Sequence, residues 1–529
     1  MVFPAVMPAH RPFDWSALRS GAPLDSRAVP LASAALAWLV AAGFMAALAW
    51  ACLVRGPWYD EFYTWHVTRP DRGFWESLRG SWLADNHPPL YYALTWPLRQ
   101  LGGTIEVHRL ASLGVTAAAL AAGWALLHGQ PRLWLTGAVF LLVLAGHEGA
   151  LRAGSELRSY FLSYAACAVL VLALVAGWLE QGLPRRGQRI ALWLALGVAF
   201  NTHIVTSLIA GALVLPFLLA AWLRGNRPLA CTLALPALAA GSALLATSAV
   251  QVPRWNRQTA QFWIPAGFDA ARWSFEYAAR RTLVANWTVT LAGAAGALAM
   301  LVRAVRQRRL EPRAEAALLL IAGTVLAAAI LLGLHTLRPI VIERYLIGLV
   351  PALAMLLALA LAALAERLPP RMTVLLLVLA AVNAAGSVTE SAHRAAARQS
   401  WSGTAALIAR VQRACPATAV HIDPDHWNSW TMSFPPADNR PAFFAAYALM
   451  AQRGGFTLEP LEPLASRRIA ADCPTLFWAE HDTLRSFDPA RITAHLSAQG
   501  FALDGVWQYR IDHGWVASNR PLDSALTAN

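Results

Sequence analysis

Long apolar runs separated by short polar breaks fill the first three-quarters of the chain, beginning with PLASAALAWLVAAGFMAALAWACLV at Pro30–Val54. A helix rises about 1.5 Å per residue, so about 20 apolar residues cross the hydrocarbon core of a bilayer. Runs of this kind lie at 30–54, 108–128, 132–147, 160–179, 189–202, 203–223, 229–250, 284–302, 315–334, 340–364 and 372–388. They predict a polytopic α-helical membrane protein with about eleven transmembrane helices. Past residue 390 the runs shorten, and Asp, His, Asn and Pro become frequent. WSGTAALIARVQRA (Trp401–Ala414) has the period of an amphipathic helix, while AVHID (Ala419–Asp423) and TLFWAE (Thr475–Glu480) read as strands. DPARITAHLSAQ (Asp488–Gln499) opens with an N-cap Asp and a Pro at the first helical position. This alternation predicts a small C-terminal α/β domain. The expected layout is an N-terminal segment 1–29, a transmembrane domain 30–390 with a long first loop at 55–107, and a C-terminal domain 391–529.

Charge placement orders these spans. The breaks that carry Arg132, Arg185–Arg189, Arg224–Arg227, Arg303–Arg313 and Arg367–Arg371 alternate with breaks of mixed, often acidic character at 55–107, 146–158, 201–203, 251–281 and 335–339. Cytoplasmic loops hold the Arg excess, so the first set and the N-terminus are expected inside. An odd number of spans then places 391–529 outside. Arg11, Arg19 and Arg27 precede a first run too long for a cleavable signal peptide, so that run is expected to remain as a helix.

Composition agrees: 57% of the 529 residues are hydrophobic, and only 14% are charged where a soluble chain has about a quarter. The net charge of +13 is spread over short loops without a nucleic-acid-binding motif, so topology explains it and no nucleic-acid partner is expected. Of five Cys, Cys52, Cys167 and Cys231 lie in apolar runs. Cys415 and Cys473 each precede a Pro in the polar C-terminal region and are the candidate disulfide of an extracytoplasmic domain.

The first loop holds the most distinctive chemistry. WYDEFYTWHV sets Asp60 and Glu61 among Trp58, Tyr59, Phe62, Tyr63 and Trp65, as in an interfacial aromatic belt. FWESLRGSWL and LYYALTWPLRQLGG are too short to cross and predict surface helices flanking Asp85, His87, Pro88 and Pro89. PRWNRQTAQFW (Pro253–Trp263) reads as another surface helix or as a Trp-anchored connecting loop.

YDE after the first span, HPPLYY about 25 residues on, and VHRLASL (Val107–Leu113) resemble the GT-C superfamily of membrane glycosyltransferases. The similar branch contains protein O-mannosyltransferases and bacterial lipid A aminoarabinose transferases. GSELRSYFL (Gly154–Leu162), NTHIVT (Asn201–Thr206) and IERYLIGLVPALAMLL (Ile342–Leu357) continue the resemblance in the family's order. It covers residues 30 to about 390; the C-terminal region has no comparable motif.

The resemblance implies an inner-membrane enzyme. Its sugar donor would be carried on a polyprenyl phosphate or pyrophosphate, and its acceptor would be an extracytoplasmic glycan, lipid (lipopolysaccharide or lipid A) or protein. Such a displacement needs a carboxylate to take the acceptor proton and cations to hold the phosphate. Asp60 matches the catalytic acidic position. Glu61 is the second candidate or a group that orients the site, and Glu156 matches the acidic residue of the second loop. Arg344 is the principal candidate for the phosphate, with Arg158, Arg338 and His335 around it and Tyr160, Tyr345 and His203 as further site candidates. His87 stands where some relatives carry Lys, which weakens its expected phosphate role. The resemblance leaves a divalent metal open, with Glu156 and His203, together with His147 and Glu148, as its candidate ligands; no HExxH or CxxC spacing is present. Two rivals are a lipid-linked-sugar flippase and a non-catalytic assembly scaffold. A flippase predicts charges inside the spans or paired broken helices, whereas the candidate charges here lie in loops.

Overall fold

The computed structural model describes residues 28–85, 87–130, 133–258, 264–397, 400–422, 436–459, 472–480, 506–511 and 514–527, with isolated positions between them. The N-terminal arginines Arg11, Arg19 and Arg27, residues 259–263 of the Pro253–Trp263 segment and most of the expected helix Asp488–Gln499 lie outside the described residues, while Pro253–Gln258 form the end of a helix.

Apolar runs without a polar stripe form helices buried among helices or facing lipid. Among the described residues nine helices are long and apolar enough to span a membrane. The chain begins with α1 (Ala28–Val54), then crosses a long loop containing α2 (Tyr59–Val67), α3 (Phe74–Ser77) and α4 (Leu90–Arg99). α5 (Ile105–Arg109) and α6 (Ala111–Leu127) form one span. α7 (Trp134–Gly146) and α8 (Glu148–Gly154) are bent by 66° at His147. The bundle continues through α9 (Tyr160–Leu179), α10 (Arg186–Thr202), α11 (Ile204–Leu223) and α12 (Arg227–Gln258). After these come α13 (Phe268–Ala285), α14 (Trp287–Gln307), α15 (Pro312–Leu337), a 3-10 turn at Glu343–Leu349, α16 (Val350–Ala365) and α17 (Pro370–Ala396).

Every expected span has a helical counterpart. The two that fall outside the nine are the bent α7–α8 pair and the 17-residue α10. α9 and α16 form the buried centre of the bundle, and α14 lies against α16 at Gly296, where a side chain would meet the Ala360 carbonyl. α13 is a surface helix with Phe268 and Trp273 exposed; the sequence reading had treated its stretch as loop.

The Arg-rich breaks gather at one end of the bundle. There Arg224 forms a two-pronged pair with Glu315 at 2.8 and 3.0 Å, Arg303 pairs with Glu311 at 2.6 Å, and Arg313 pairs with Glu366. The loops of mixed charge gather at the opposite end. Ion pairs such as Arg55–Glu156 (3.1 Å), Arg281–Glu148 (2.7 Å) and Arg394–Glu148 (3.2 Å) cross between them.

Beyond α17 the chain forms α18 (Ser402–Ala414), β1 (Ala419–Ile422), α19 (Pro436–Gly454), β2 (Thr475–Ala479), β3 (Trp507–Ile511), β4 (Gly514–Ser518) and the short α20 (Ser524–Thr527). The strands make one sheet of order β1-β2-β4-β3, with β1 and β2 parallel and the other pairs antiparallel. Cys415, after α18, is bonded to Cys473, just before β2, with Cα atoms 5.8 Å apart. The small domain rests on the first loop: Trp401 packs on Phe62 at 4.7 Å, and Arg453 makes a two-pronged pair with Glu106 at 2.9 and 2.8 Å.

Candidate active site

The two adjacent carboxylates of the first loop part company on α2. Successive helix positions are about 100° apart, so Asp60 and Glu61 face different surroundings. Glu61 points inward and is fully buried. It takes Nε and Nη2 of Arg109 at 2.7 and 2.5 Å, and the backbone N–H groups of Leu157 (2.7 Å) and Trp58 (3.3 Å). Arg109 in turn donates to the carbonyls of Cys52, Arg55 and Gly56 at 3.2, 2.5 and 3.1 Å, which are unpaired acceptors at the end of α1. One buried pair therefore ties α1, α2, α5 and the second loop together. In VHRLASL neither the residue pattern nor the family resemblance assigns Arg109 a role. An arginine at the mouth of an apolar span was the available signal.

Asp60 keeps part of its surface accessible. Its Oδ2 lies 3.0 Å from Nη1 of Arg344, and the Arg158 guanidinium reaches the Asp60 carbonyl and Thr64 Oγ1, each at 3.4 Å. Burial works against the charge of Arg158, but Tyr160, Asp60 and Tyr92 outweigh it and hold the guanidinium protonated. Arg344 also stands 5.7–5.8 Å from the ring centres of Trp58, Tyr160 and Tyr345, within cation–π range. Tyr345 packs against His203 at 4.5 Å, and His203 against His87 at 5.1 Å, so three loops share one aromatic wall.

His87 donates through Nδ1 to the Asp85 carboxylate at 3.2 Å, and Tyr92 donates its hydroxyl to the same carboxylate. Burial pushes the Asp85 carboxyl up, but the charge and hydrogen bond of His87 and the bond from Tyr92 win and hold it below the usual carboxylate range. Gln251, near the end of α12, donates its amide to the carbonyls of Trp82, Asp85 and His87 at 3.2, 3.0 and 2.8 Å. Nothing in the residue pattern near Gln251 indicated this link to a loop 164 residues away.

The other candidates divide by environment. Glu156 is buried against Arg55 at 3.1 Å and Arg152 at 3.7 Å. His203 accepts the Val205 N–H at 3.2 Å, and burial, with the charges of His87, Arg158 and Arg344, keeps it well below the usual histidine value. His335 is a buried clip: its Nδ1 accepts the N–H groups of Ile340 and Val341 at 3.2 and 3.1 Å, closing the turn before Arg344. Arg338, half-buried after α15, lies outside the cavity that Glu148, Arg152, Glu156, Tyr160, Arg281 and Arg344 help to line. Among the described residues no group of three or more His, Cys, Asp or Glu side chains converges as a metal site.

Neither a family model nor a curated relative matches the sequence. Among solved structures, ArnT from Cupriavidus metallidurans bound to undecaprenyl phosphate aligns with 96% of this chain and 100% of its own, at TM-score 0.50 and 15% identity. The chain has the GT-C fold. The apo structure of the same ArnT gives TM-score 0.49 and 15% identity over 94% of this chain and all of its own. Within this fold, Asp60, Arg344, Arg158, Tyr160, Tyr345, His203 and His87 come together at one end of the bundle, while Glu61, Glu156 and His335 hold the loops that carry them.

Proposed function

We propose that the protein is an integral membrane glycosyltransferase that moves a sugar from a polyprenyl-phosphate-linked donor to an extracytoplasmic acceptor. The observation that carries this reading is the partly accessible Asp60 carboxylate facing Arg344 at the bundle end, with Arg158 beside it. The loops of mixed charge bearing these groups would face the outside of a bacterial inner membrane, with residues 1–29 inside and the domain 391–529 outside.

In the proposed step an acceptor hydroxyl oxygen bonds to the anomeric carbon while the bond from that carbon to the phosphate oxygen breaks. The phosphate leaves with the electron pair, and its charge falls on Arg344 and Arg158. Attack from the face opposite the phosphate inverts the anomeric centre. The acceptor proton goes to Asp60. Without donor, Arg344 holds Asp60 in an ion pair; a donor phosphate competes for that guanidinium and releases the carboxylate to act as the base. The pairing thus makes base activity depend on donor binding. The prenyl tail would stay in the bilayer beside the bundle. Glu61 serves as a positioning residue through Arg109 and the Leu157 N–H.

The test is to incubate purified protein with a panel of polyprenyl-phosphate sugars and acceptors and to measure released polyprenyl phosphate. Asp60→Asn should lower turnover by about 10²–10⁴-fold. Full activity in that variant overturns the mechanism, and release from no donor in the panel overturns the substrate class.

A further inference from the structure

A second cavity lies between the first loop and the small domain, lined by Phe62, Trp65, His66, Arg69, Arg99 and one face of α19 from Ala445 to Gln452. Its floor contains an unusual group. Arg99, the last residue of α4, is only 6% exposed, yet its guanidinium makes no hydrogen bond or ion pair among the described residues, and its Nε is buried without a partner. It lies over the Trp65 ring, with Cζ 3.0 Å from the ring centre. Burial draws it down to about 10, opposed by Asp71, so it is charged at neutral pH. A buried guanidinium without a hydrogen-bond acceptor is costly unless something completes it.

The surroundings are arranged for an anion. Arg69 is held by His66 at 2.9 Å and is offset by the exposed Asp71 at 3.2 Å, and among the described residues no carboxylate lines the cavity. Burial, then Arg69 and Arg72, pull His66 down to about 4, so at neutral pH it is an uncharged partner that orients Arg69. Trp65 carries the Arg99 guanidinium on its ring, and Phe62 and Leu449 supply apolar walls beside the two guanidiniums, a combination suited to a sugar bearing a carboxylate or phosphate. The Arg453–Glu106 pair and the Phe62–Trp401 contact fix the α19 wall.

We propose that this cleft is a binding site for an anionic saccharide, with Arg99 and Arg69 taking the acid group and Phe62 and Leu449 flanking the sugar ring. Resting on the transferase reading, it would anchor an acidic unit of the acceptor glycan, one to two helical turns along α2 from Asp60. The binding itself can be tested apart from that reading.

The experiment is calorimetric titration of the full-length protein in phosphatidylcholine nanodiscs. The titrants are galacturonic acid oligosaccharides, neutral galactose oligosaccharides, inorganic phosphate, and phosphatidylglycerol placed in the disc as competitor. Acidic oligosaccharides should bind and neutral ones should not, and Arg99→Gln should weaken binding by about tenfold or more. Asp60→Asn should bind the acidic oligosaccharides like the parent, which separates this site from failure of the transfer chemistry. Removing the unpaired charge by Arg99→Met should leave the unfolding temperature unchanged or raise it. Equal binding of neutral oligosaccharides, undiminished affinity in Arg99→Gln, or a marked drop in the Arg99→Met unfolding temperature would overturn the proposal. Inorganic phosphate or phosphatidylglycerol binding as tightly as the acidic sugar would also overturn it, by reducing the cleft to a general anion or lipid site.

Discussion

Replacing Glu61 by Gln tests whether the buried clamp, rather than a second catalytic carboxylate, explains the acidic pair at the first span. Both side chains of the Glu61–Arg109 pair are fully buried. Glutamine keeps the shape but removes the charge and turns one acceptor edge into a donor facing a guanidinium. Breaking a buried pair by removing one partner costs about 3–5 kcal/mol. Arg109 retains the carbonyls of Cys52, Arg55 and Gly56, which places the expected cost near the lower end, about 3 kcal/mol. If the clamp is lost at the unfolding barrier, irreversible heat inactivation accelerates on the order of a hundredfold. The assay is the fraction of monodisperse protein surviving timed heating, read by fluorescence-detected size exclusion. The double variant Glu61→Gln/Arg109→Met should regain part of the loss, because it no longer buries an uncompensated charge. Turnover per folded molecule should stay within severalfold of the parent, unlike that of Asp60→Asn. A Glu61→Gln protein as durable as the parent would refute the clamp, and so would a double variant whose losses simply add.

Other expectations follow from the same geometry. Arg344→Gln should lower kcat/KM for the donor by about 10²–10³-fold, and Arg344→Lys should recover only part of it, since a lysine lacks the two-pronged fork; equal activity of the three proteins counts against a phosphate role. His66 titrates near 4 when folded and near its ordinary 6.5 when unfolded, so stability is complete above about pH 6.5 and declines as pH falls toward 4. After allowance for its partial exposure the loss is about 1 kcal/mol, and His66→Gln should flatten that limb of the unfolding temperature against pH; parallel profiles would refute it. Replacing Cys415 and Cys473 by Ser opens a loop of 58 residues and should cost the small domain roughly 4 kcal/mol, visible as faster proteolysis of the C-terminal region; an unchanged cleavage rate would contradict the entropic estimate.

The spans were legible because hydrocarbon imposes its thickness on every run, and the alternation of Arg with acidic breaks sorted the loops before any contact was known. Asp60 and Arg344 could be placed at one end of the bundle for the same reason. Their partners could not be read. Glu61 meets Arg109 across 48 residues and Gln251 meets His87 across 164, pairings set by which helices become neighbours, on which local period is silent. His335 looked like a cation for phosphate, but a histidine just past an apolar run can also cap the next turn, and here its ring accepts two backbone N–H groups. Arg99 ends an apolar surface helix, a place where arginines usually reach solvent, and its burial comes from contacts that local period does not encode.

The three bonds from Gln251 give α12 a mechanical task. A helix of 32 residues measures about 48 Å, well beyond an oily layer about 30 Å thick. It stands like a tent pole, with the His87 loop hung from its upper part. In a thinner bilayer the pole leans, and the loop drops and shifts sideways relative to Tyr345 and Asp60. Lipid chain length would therefore act as a setting on the height of the aromatic wall above the membrane.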